Sequence, residues 1–240
     1  MQNGEDIIDI APKEQDIEEI LVWLKRERDR NGEGFYNNKN IILESFQRGN
    51  VIVLKHRGKN IGMAVWSEDD IHVNIDIFVI NPLFHSQGYG SFFYKAISEY
   101  FRTEGFKAVK LFCEPRTSER FWIKMGLNKL PDCGYTEHEL TYYVILVDTA
   151  SIINIRNADK IELWDVEPYK AARKEPKWTW YIETQNGDLM HPIIQPCNQD
   201  WNLRWCRNSQ VLKEEKIKYF TDEAYELYRS KFLYIDKLEG

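Results

Sequence analysis

The chain has 240 residues, of which 43% are apolar and 29% charged, and its formal net charge is −6. That length admits one or two domains with a core large enough to hold without staples. The acidic balance disfavours a nucleic-acid-binding body, and no apolar run of about 18 residues is present to suggest a membrane span.

Ile7 to Ile10 is predicted as a first strand. After Pro12 comes an acidic start, and Ile17, Ile20, Leu21 and Leu24 recur at helical spacing, so a helix is expected to about Arg30, with Asn31-Gly32 as its stop. A loop over 34–38 leads to a second helix carrying Ile41, Ile42, Ser45 and Phe46, ended by Gly49-Asn50. Then the period changes to two. Val51 to Lys55 and Ile61 to Trp66 read as a hairpin around the turn 57–60, and Ile71 to Ile80 as a third long strand after an acidic turn at 68–70. Simple alternation puts His72, Asn74, Asp76 and Phe78 on one face of that strand and Val73, Ile75, Ile77 and Val79 on the other. A glycine-rich loop follows, then a helix over 91–103 with Phe92, Phe93, Ala96, Ile97 and Tyr100 along one stripe. Val109 to Cys113 is a strand, 117–124 a helix stopped by Gly126, and Thr141 to Val147 a last strand with Tyr142 and Tyr143 on opposite faces.

The loop His85-Ser86-Gln87-Gly88-Tyr89-Gly90 carries the chemistry. Glycines let backbone approach a ligand closely, and a helix N-terminus offers unpaired N–H groups at its positive dipole end. Successive amides of this kind can cradle a phosphate. A G-x-G pair says little by itself, because turn chemistry explains most of them. Here it stands between a strand and an amphipathic helix, with another strand and helix behind it and Phe121-Trp122-Ile123-Lys124-Met125-Gly126-Leu127 further on.

This arrangement resembles the GNAT superfamily of acyl-CoA N-acyltransferases over about residues 5 to 147. Gly88 and Gly90 match the glycines of its pyrophosphate loop, His85 stands where arginine or glutamine is usual, and 121–127 matches an aromatic segment of the family. The resemblance implies an α/β fold, a mixed sheet with flanking helices whose fourth and fifth strands splay apart to admit the pantetheine arm of acetyl-CoA. It implies backbone contacts to that arm from Phe78, Val79 and Ile80, and a pyrophosphate held by His85, Ser86, Gln87, Gly88, Tyr89, Gly90 and Ser91. A bulge on the fourth strand would open the gap, and an N–H exposed there would stabilise the oxyanion. Ser118 would add a polar contact to the cofactor. Trp122 stands where many members carry a tyrosine that protonates the departing thiolate, a task an indole cannot perform. Pro115 replaces a usual asparagine.

The attacking amine must lose a proton to a carboxylate or an ordered water. Asp76, two residues before Phe78, and Glu114, at the end of the fifth strand, are the candidate bases. Glu33 and Tyr36, in the loop between the first two helices, would line the acceptor pocket. His72, His138 and His191 are isolated and read as structural. Cys113, Cys133, Cys197 and Cys206 form no C-x-x-C pair and no zinc spacing, so reduced thiols and a cytoplasmic protein are expected, with no metal. The acidic N-terminus, lacking a positive stretch, reads as no secretory leader.

Around 148–159 the pattern loosens, which places a boundary between a domain over 1–149 and an accessory unit over 150–240, the latter expected as a smaller β-rich α+β unit. It holds five tryptophans, read mainly as core, and 14 Lys and Arg against 15 Asp and Glu, which gives no support to a nucleic-acid partner. Strands are predicted over 161–166, 178–184 and 216–220, with a hairpin turn at 185–188. A final helix is predicted from a Thr221-Asp222-Glu223 cap through Ala224, Leu227, Tyr228 and Leu233. The function expected is transfer of the acetyl group of acetyl-CoA to a primary amine, on a small molecule or a protein, by direct attack in a ternary complex. The alternative is a non-catalytic acyl-CoA-binding scaffold whose C-terminal unit binds a partner. A homodimer paired through the sheet edge is left open.

Overall fold

The computed structural model describes residues 6–32, 34–134, 138–154, 158–185, 187–208, 210–220 and 231–238. These divide into two compact units. One runs to Lys129 and takes in Leu140–Leu146, and the other takes Leu130–Glu139 and everything from Val147 onward. The segment 130–139, placed by sequence in the first domain, belongs with the second. The cause is Cys133, which is buried in the second unit's core and whose carbonyl accepts from Asn198 Nδ2 at 2.8 Å.

The first unit is a seven-stranded mixed sheet with helices on both faces. Its strands are β1 (Asp6–Asp9), β2 (Val51–His56), β3 (Lys59–Asp69), β4 (His72–Ile80), β5 (Ala108–Phe112), β6 (Asn128–Lys129) and β7 (Thr141–Ile145), in the order β1-β2-β3-β4-β5-β7-β6. All neighbours are antiparallel except β4 and β5. The β2–β3 hairpin closes through Arg57-Gly58 alone, so the turn is two residues shorter than predicted. Helices α1 (Glu14–Asn31) and α2 (Lys39–Gln47) cover one face, where Ile17, Ile20, Leu24 and Ile42 pack on Val53, Met63, Val65, Ile77 and Val79. Helices α3 (Tyr89–Thr103) and α4 (Glu119–Lys124) cover the other. There Phe93, Tyr94, Ile97, Phe101 and Trp122 pack on Ala64, Val73, Ile75 and Ile80. The buried stripe of α3 is therefore one residue round from the prediction, with Phe92 and Tyr100 at its margin. Lys55 Nζ fastens α1 to the hairpin through Asp9 (2.8 Å) and Asp16 (2.9 Å).

One close approach fixes a residue type. A Cβ on Gly62 of β3 would lie 2.7 Å from Ile80 Cδ1, 3.3 Å from Leu54 Cβ and 3.3 Å from the Val79 carbonyl oxygen. Two of those three atoms cannot swing away. Gly62→Ala is therefore expected to lower stability by about 1–3 kcal/mol, the range for overpacking a filled core, and to displace Ile80. Chemical denaturation of the purified variant checks this.

The second unit is β-rich. A four-stranded antiparallel sheet, ordered β13-β12-β8-β9, contains β8 (Asp159–Leu163), β9 (Trp178–Ile182), β12 (Asn202–Arg207) and β13 (Gln210–Lys216). A three-stranded sheet contains β10 (Thr184–Gln185), β11 (Asp188–Pro196) and β14 (Phe232–Lys237). Two single-turn helices, α5 (Pro168–Ala171) and α6 (Ile217–Phe220), complete it. The 185–188 hairpin forms, with Gln185 opposite Asp188. Residues 217–220, predicted as strand, are helical because Ile217 and Phe220 bury one face at i, i+3 spacing. Leu233, assigned by sequence to a final helix, lies in β14. The cap and Ala224, Leu227 and Tyr228 fall outside the described residues. Trp164, Trp180, Trp201 and Trp205 are buried, as a core reading requires.

Candidate active site

The site is set by the way β4 leaves β5. Parallel pairing runs from His72–Ala108 to Ile75–Leu111 and stops there, although β4 continues to Ile80. At that point the β3–β4 register slips: Val65 faces Ile77 while Trp66 faces Ile75, which leaves Asp76 as the extra residue of a bulge. The bulge reverses the alternation. Val73 and Ile75 lie in the core under α3 and so do Phe78 and Ile80, whereas Ile77 and Val79 lie under α1 and α2. The uniform alternation read from the sequence is thereby corrected, and Asp76 does not share a face with Phe78.

Beyond the bulge, the backbone of β4 has a free side. Asn81 N–H donates to the Ile61 carbonyl at 2.7 Å. In an antiparallel ladder hydrogen-bonded pairs alternate with non-bonded ones, so Val79 and Ile77 also bond β3, while Phe78 and Ile80 turn their N–H and C=O groups toward the gap. Of the three residues expected to hold the pantetheine arm, Phe78 and Ile80 turn backbone groups toward the gap, and Val79 spends its own on Met63 of β3. The Ile80 carbonyl also accepts from His85 Nε2 at 2.7 Å, so the His85 side chain clips the loop to the strand end.

The loop then delivers its amides. Gly88 is the N-cap of α3 with φ +89°, and Ser86 has φ +62°. Phe92 N–H is the first to bond back, to the Gly88 carbonyl at 3.0 Å. The amides of Ser86 to Ser91 meet no acceptor among the described residues. Gln87 sends its side-chain amide to the Leu83 carbonyl at 3.0 Å, and so contributes backbone only. A Cβ on Gly88 would meet nothing within 4 Å beyond its chain neighbours, so the loop is open on that side. A cradle of free amides at the mouth of a 15-residue helix suits a pyrophosphate.

Trp122 is buried at 6% exposure. Its ring packs against Phe78 (5.2 Å), Tyr94 (5.4 Å) and Phe121 (4.8 Å). It is part of the aromatic floor beneath Phe78. The Ser118 hydroxyl donates to the Pro115 carbonyl at 2.9 Å and lies 3.3 Å from Cys113 Sγ, so it holds a local turn rather than reaching for a cofactor. Tyr142 donates to Glu119 beside them, which pushes its phenol up to about 12.

Asp76 is exposed, yet neighbouring protein desolvates its carboxyl and raises its pKa above the ordinary 3.8, against a lowering hydrogen bond from Ser67. Glu114 is exposed just past the end of β5, on the other wall of the gap. Tyr36 lies under the Arg28 guanidinium, 4.5 Å from its ring centroid. Glu33 falls outside the described residues. Sequence reading missed Glu27 of α1, a half-buried carboxyl that desolvation raises while nearby His85 lowers it. It also missed His56, which reaches Tyr89 of the loop, and Asp6, which bonds His56. No local pattern marks these residues, since their partners are far away in the chain. Among the described residues no group of three His, Cys, Asp or Glu side chains could hold a metal ion, and no helix is long and apolar enough to cross a membrane.

Comparison with known proteins agrees with this geometry in one respect that carries weight: residues 14–127 match the model of the acetyltransferase (GNAT) family. The chain is similar to solved structures at low identity. Ard1 from Thermoplasma volcanium is 20% identical over 60% of this chain and 99% of that one, with a TM-score of 0.47. N-acetylglutamate synthase from Neisseria gonorrhoeae, complexed with coenzyme A and N-acetyl-glutamate, is 15% identical over 61% of this chain and 36% of that one, with a TM-score of 0.49. The ribosomal-protein-S18-alanine N-acetyltransferase from Escherichia coli is 10% identical over 62% and 99%, with a TM-score of 0.48. No curated protein matches the sequence.

Proposed function

We propose, from the match of residues 14–127 to the GNAT acetyltransferase family model, that the chain transfers the acetyl group of acetyl-CoA to a primary amine by direct attack in a ternary complex. The observation that carries the proposal is the gap itself. β4 parts from β5 at a bulge, turns the Phe78 backbone and the Ile80 N–H toward the gap, and leads straight into a loop of unpartnered amides. A peptide-like pantetheine arm would complete the missing ladder, with its pyrophosphate on Ser86 to Ser91.

The chemistry follows from what lines the gap. The amine lone pair attacks the thioester carbonyl, forming the C–N bond. The Phe78 N–H, the first amide past the bulge that turns to the open side, receives the developing oxyanion. Asp76 takes the amine proton directly or through one water, and its raised pKa makes it a better base than an ordinary carboxylate. Glu114 is the alternative base. The C–S bond then breaks, and the thiolate takes its proton from solvent, because the indole of Trp122 has no acid to offer. The acceptor is an amine on a small molecule or a protein. The low acceptor specificity of the fold leaves its identity to the loop around Tyr36.

One observation favours a second reading. Trp122 is locked into the aromatic floor where a proton donor would be useful, as in a scaffold that binds acyl-CoA without turning it over. Isothermal titration with acetyl-CoA and with CoA tests the shared premise: micromolar binding supports both readings, and no binding removes both. Release of CoA from acetyl-CoA that depends on an added amine then separates enzyme from scaffold.

A further inference from the structure

We propose that Asp6 and His56 latch Tyr89 in place, and that the three are positioning residues which hold the loop ready for the pyrophosphate of CoA. The inference rests on the reading of the site given above.

The three residues come from separate elements. Asp6 opens β1, His56 ends β2, and Tyr89 opens α3 between the two loop glycines. Asp6 Oδ1 lies 2.6 Å from His56 Nδ1, so that nitrogen donates to the carboxylate. The Tyr89 hydroxyl lies 3.2 Å from Nδ1 and 3.3 Å from Nε2. The near-equal distances put the hydroxyl over the imidazole face, and with Nδ1 committed to Asp6 it is Nε2 that remains to accept from it. The Tyr89 ring also packs on the imidazole at 5.2 Å. Phe84, in the turn that enters the loop, closes the set at 6.1 Å from His56 and 5.8 Å from Tyr89. Both ends of the loop therefore rest on one imidazole, which the sheet in turn holds.

The loop needs such a hold. Ser86 and Gly88 both have positive φ, and a non-glycine residue keeps that conformation only where its surroundings impose it. Six adjacent amides without internal acceptors gain nothing from staying aligned before the ligand arrives. A loop fixed in its bound shape beforehand binds more tightly, because the ordering cost has already been met. Fastening β1 to β2 does not require the side chains, since the ladder from Asp6–His56 to Asp9–Val53 already does so. The Tyr89 hydroxyl is what extends that fastening to the loop.

The test uses two ligands and two variants of the full chain. CoA carries the pyrophosphate, and pantetheine lacks it. Tyr89→Phe keeps the ring and removes the hydroxyl, and His56→Gln removes the imidazole. Each variant is expected to bind CoA about tenfold more weakly by isothermal titration, the effect of one lost hydrogen bond in a charged network. Pantetheine binding, followed by NMR titration, should stay within about twofold, since only the pyrophosphate feels the loop. Thermal unfolding of Tyr89→Phe should match the wild type. Unchanged CoA affinity in both variants overturns the latch alone. Parallel weakening of CoA and pantetheine also overturns it, as a general effect on the fold. A wild type that binds no CoA overturns both the latch and the function on which it rests.

Discussion

Gly88→Glu is expected to abolish CoA binding, weakening it by about 100-fold or more, because like charges brought together at a binding site cost several kcal/mol. Two effects add. Gly88 has φ +89°, a conformation that costs an L-residue roughly 1–2 kcal/mol. The new carboxylate then projects into the open space at the N-terminus of α3, where no heavy atom beyond the chain neighbours lies within 4 Å of the Cβ position. It would accept the free amides itself and repel the pyrophosphate. Gly88→Ala separates the two effects: it carries the backbone cost without the charge, and so should lose stability while keeping most of its CoA affinity. Equal losses of affinity in the two variants would mean that loop conformation, rather than an occupied amide cradle, explains the result. Full CoA binding by Gly88→Glu would place the cofactor elsewhere.

The loop was legible because everything that shapes it is local. Two glycines, a strand ahead and an amphipathic helix behind lie within about thirty residues, and periodicity finds each of them. The gap was legible only as an implication of family resemblance. The run I-H-V-N-I-D-I-F-V-I keeps a period of two straight through the bulge, so nothing in it announces that Asp76 is extra and that Phe78 and Ile80 return to the side of Val73 and Ile75. Register is a property of two strands, and one strand's pattern does not contain it. His56 and Asp6 were invisible for a related reason: their bonds span 33 and 50 residues.

In the second unit the local rules were weaker. β13 reads Q-V-L-K-E-E-K, an edge strand with little apolar pattern, and its neighbour β12 carries the burial instead, in Leu203, Trp205 and Cys206. β11 carries Pro192 in its interior, where a central strand would miss an N–H. The structure accommodates it where the β11–β14 pairing is interrupted between Asp188 and Ile193, so its missing N–H leaves no bond unmade. Its carbonyl accepts from Ala150 N–H at 2.9 Å instead.

Asp76→Asn is expected to leave CoA affinity unchanged and to lower amine acetylation by about 10²–10⁴-fold, the usual contribution of a positioned general base. The amide has the shape of the carboxylate and can still accept from Ser67, so the bulge should persist. Stability gives an independent readout. Desolvation raises the Asp76 pKa above 3.8, which means the ionised form is less favourable in the folded chain than in the unfolded one. Its ionisation therefore detracts from stability as pH rises through that folded pKa. A neutral asparagine removes this cost, so the variant should melt no lower than the wild type near neutral pH while being far less active. A residue kept only for structure would not behave in that way. The pH profile has a definite sign too. Only the carboxylate accepts a proton, so kcat/KM should fall with unit slope as pH drops through the Asp76 pKa, on an acid limb lying above that of an ordinary aspartate, and Asp76→Asn should flatten the limb. Glu114→Gln is the comparison that decides between the two bases. If it abolishes turnover and flattens the limb while Asp76→Asn does neither, the proton leaves across the other wall of the gap.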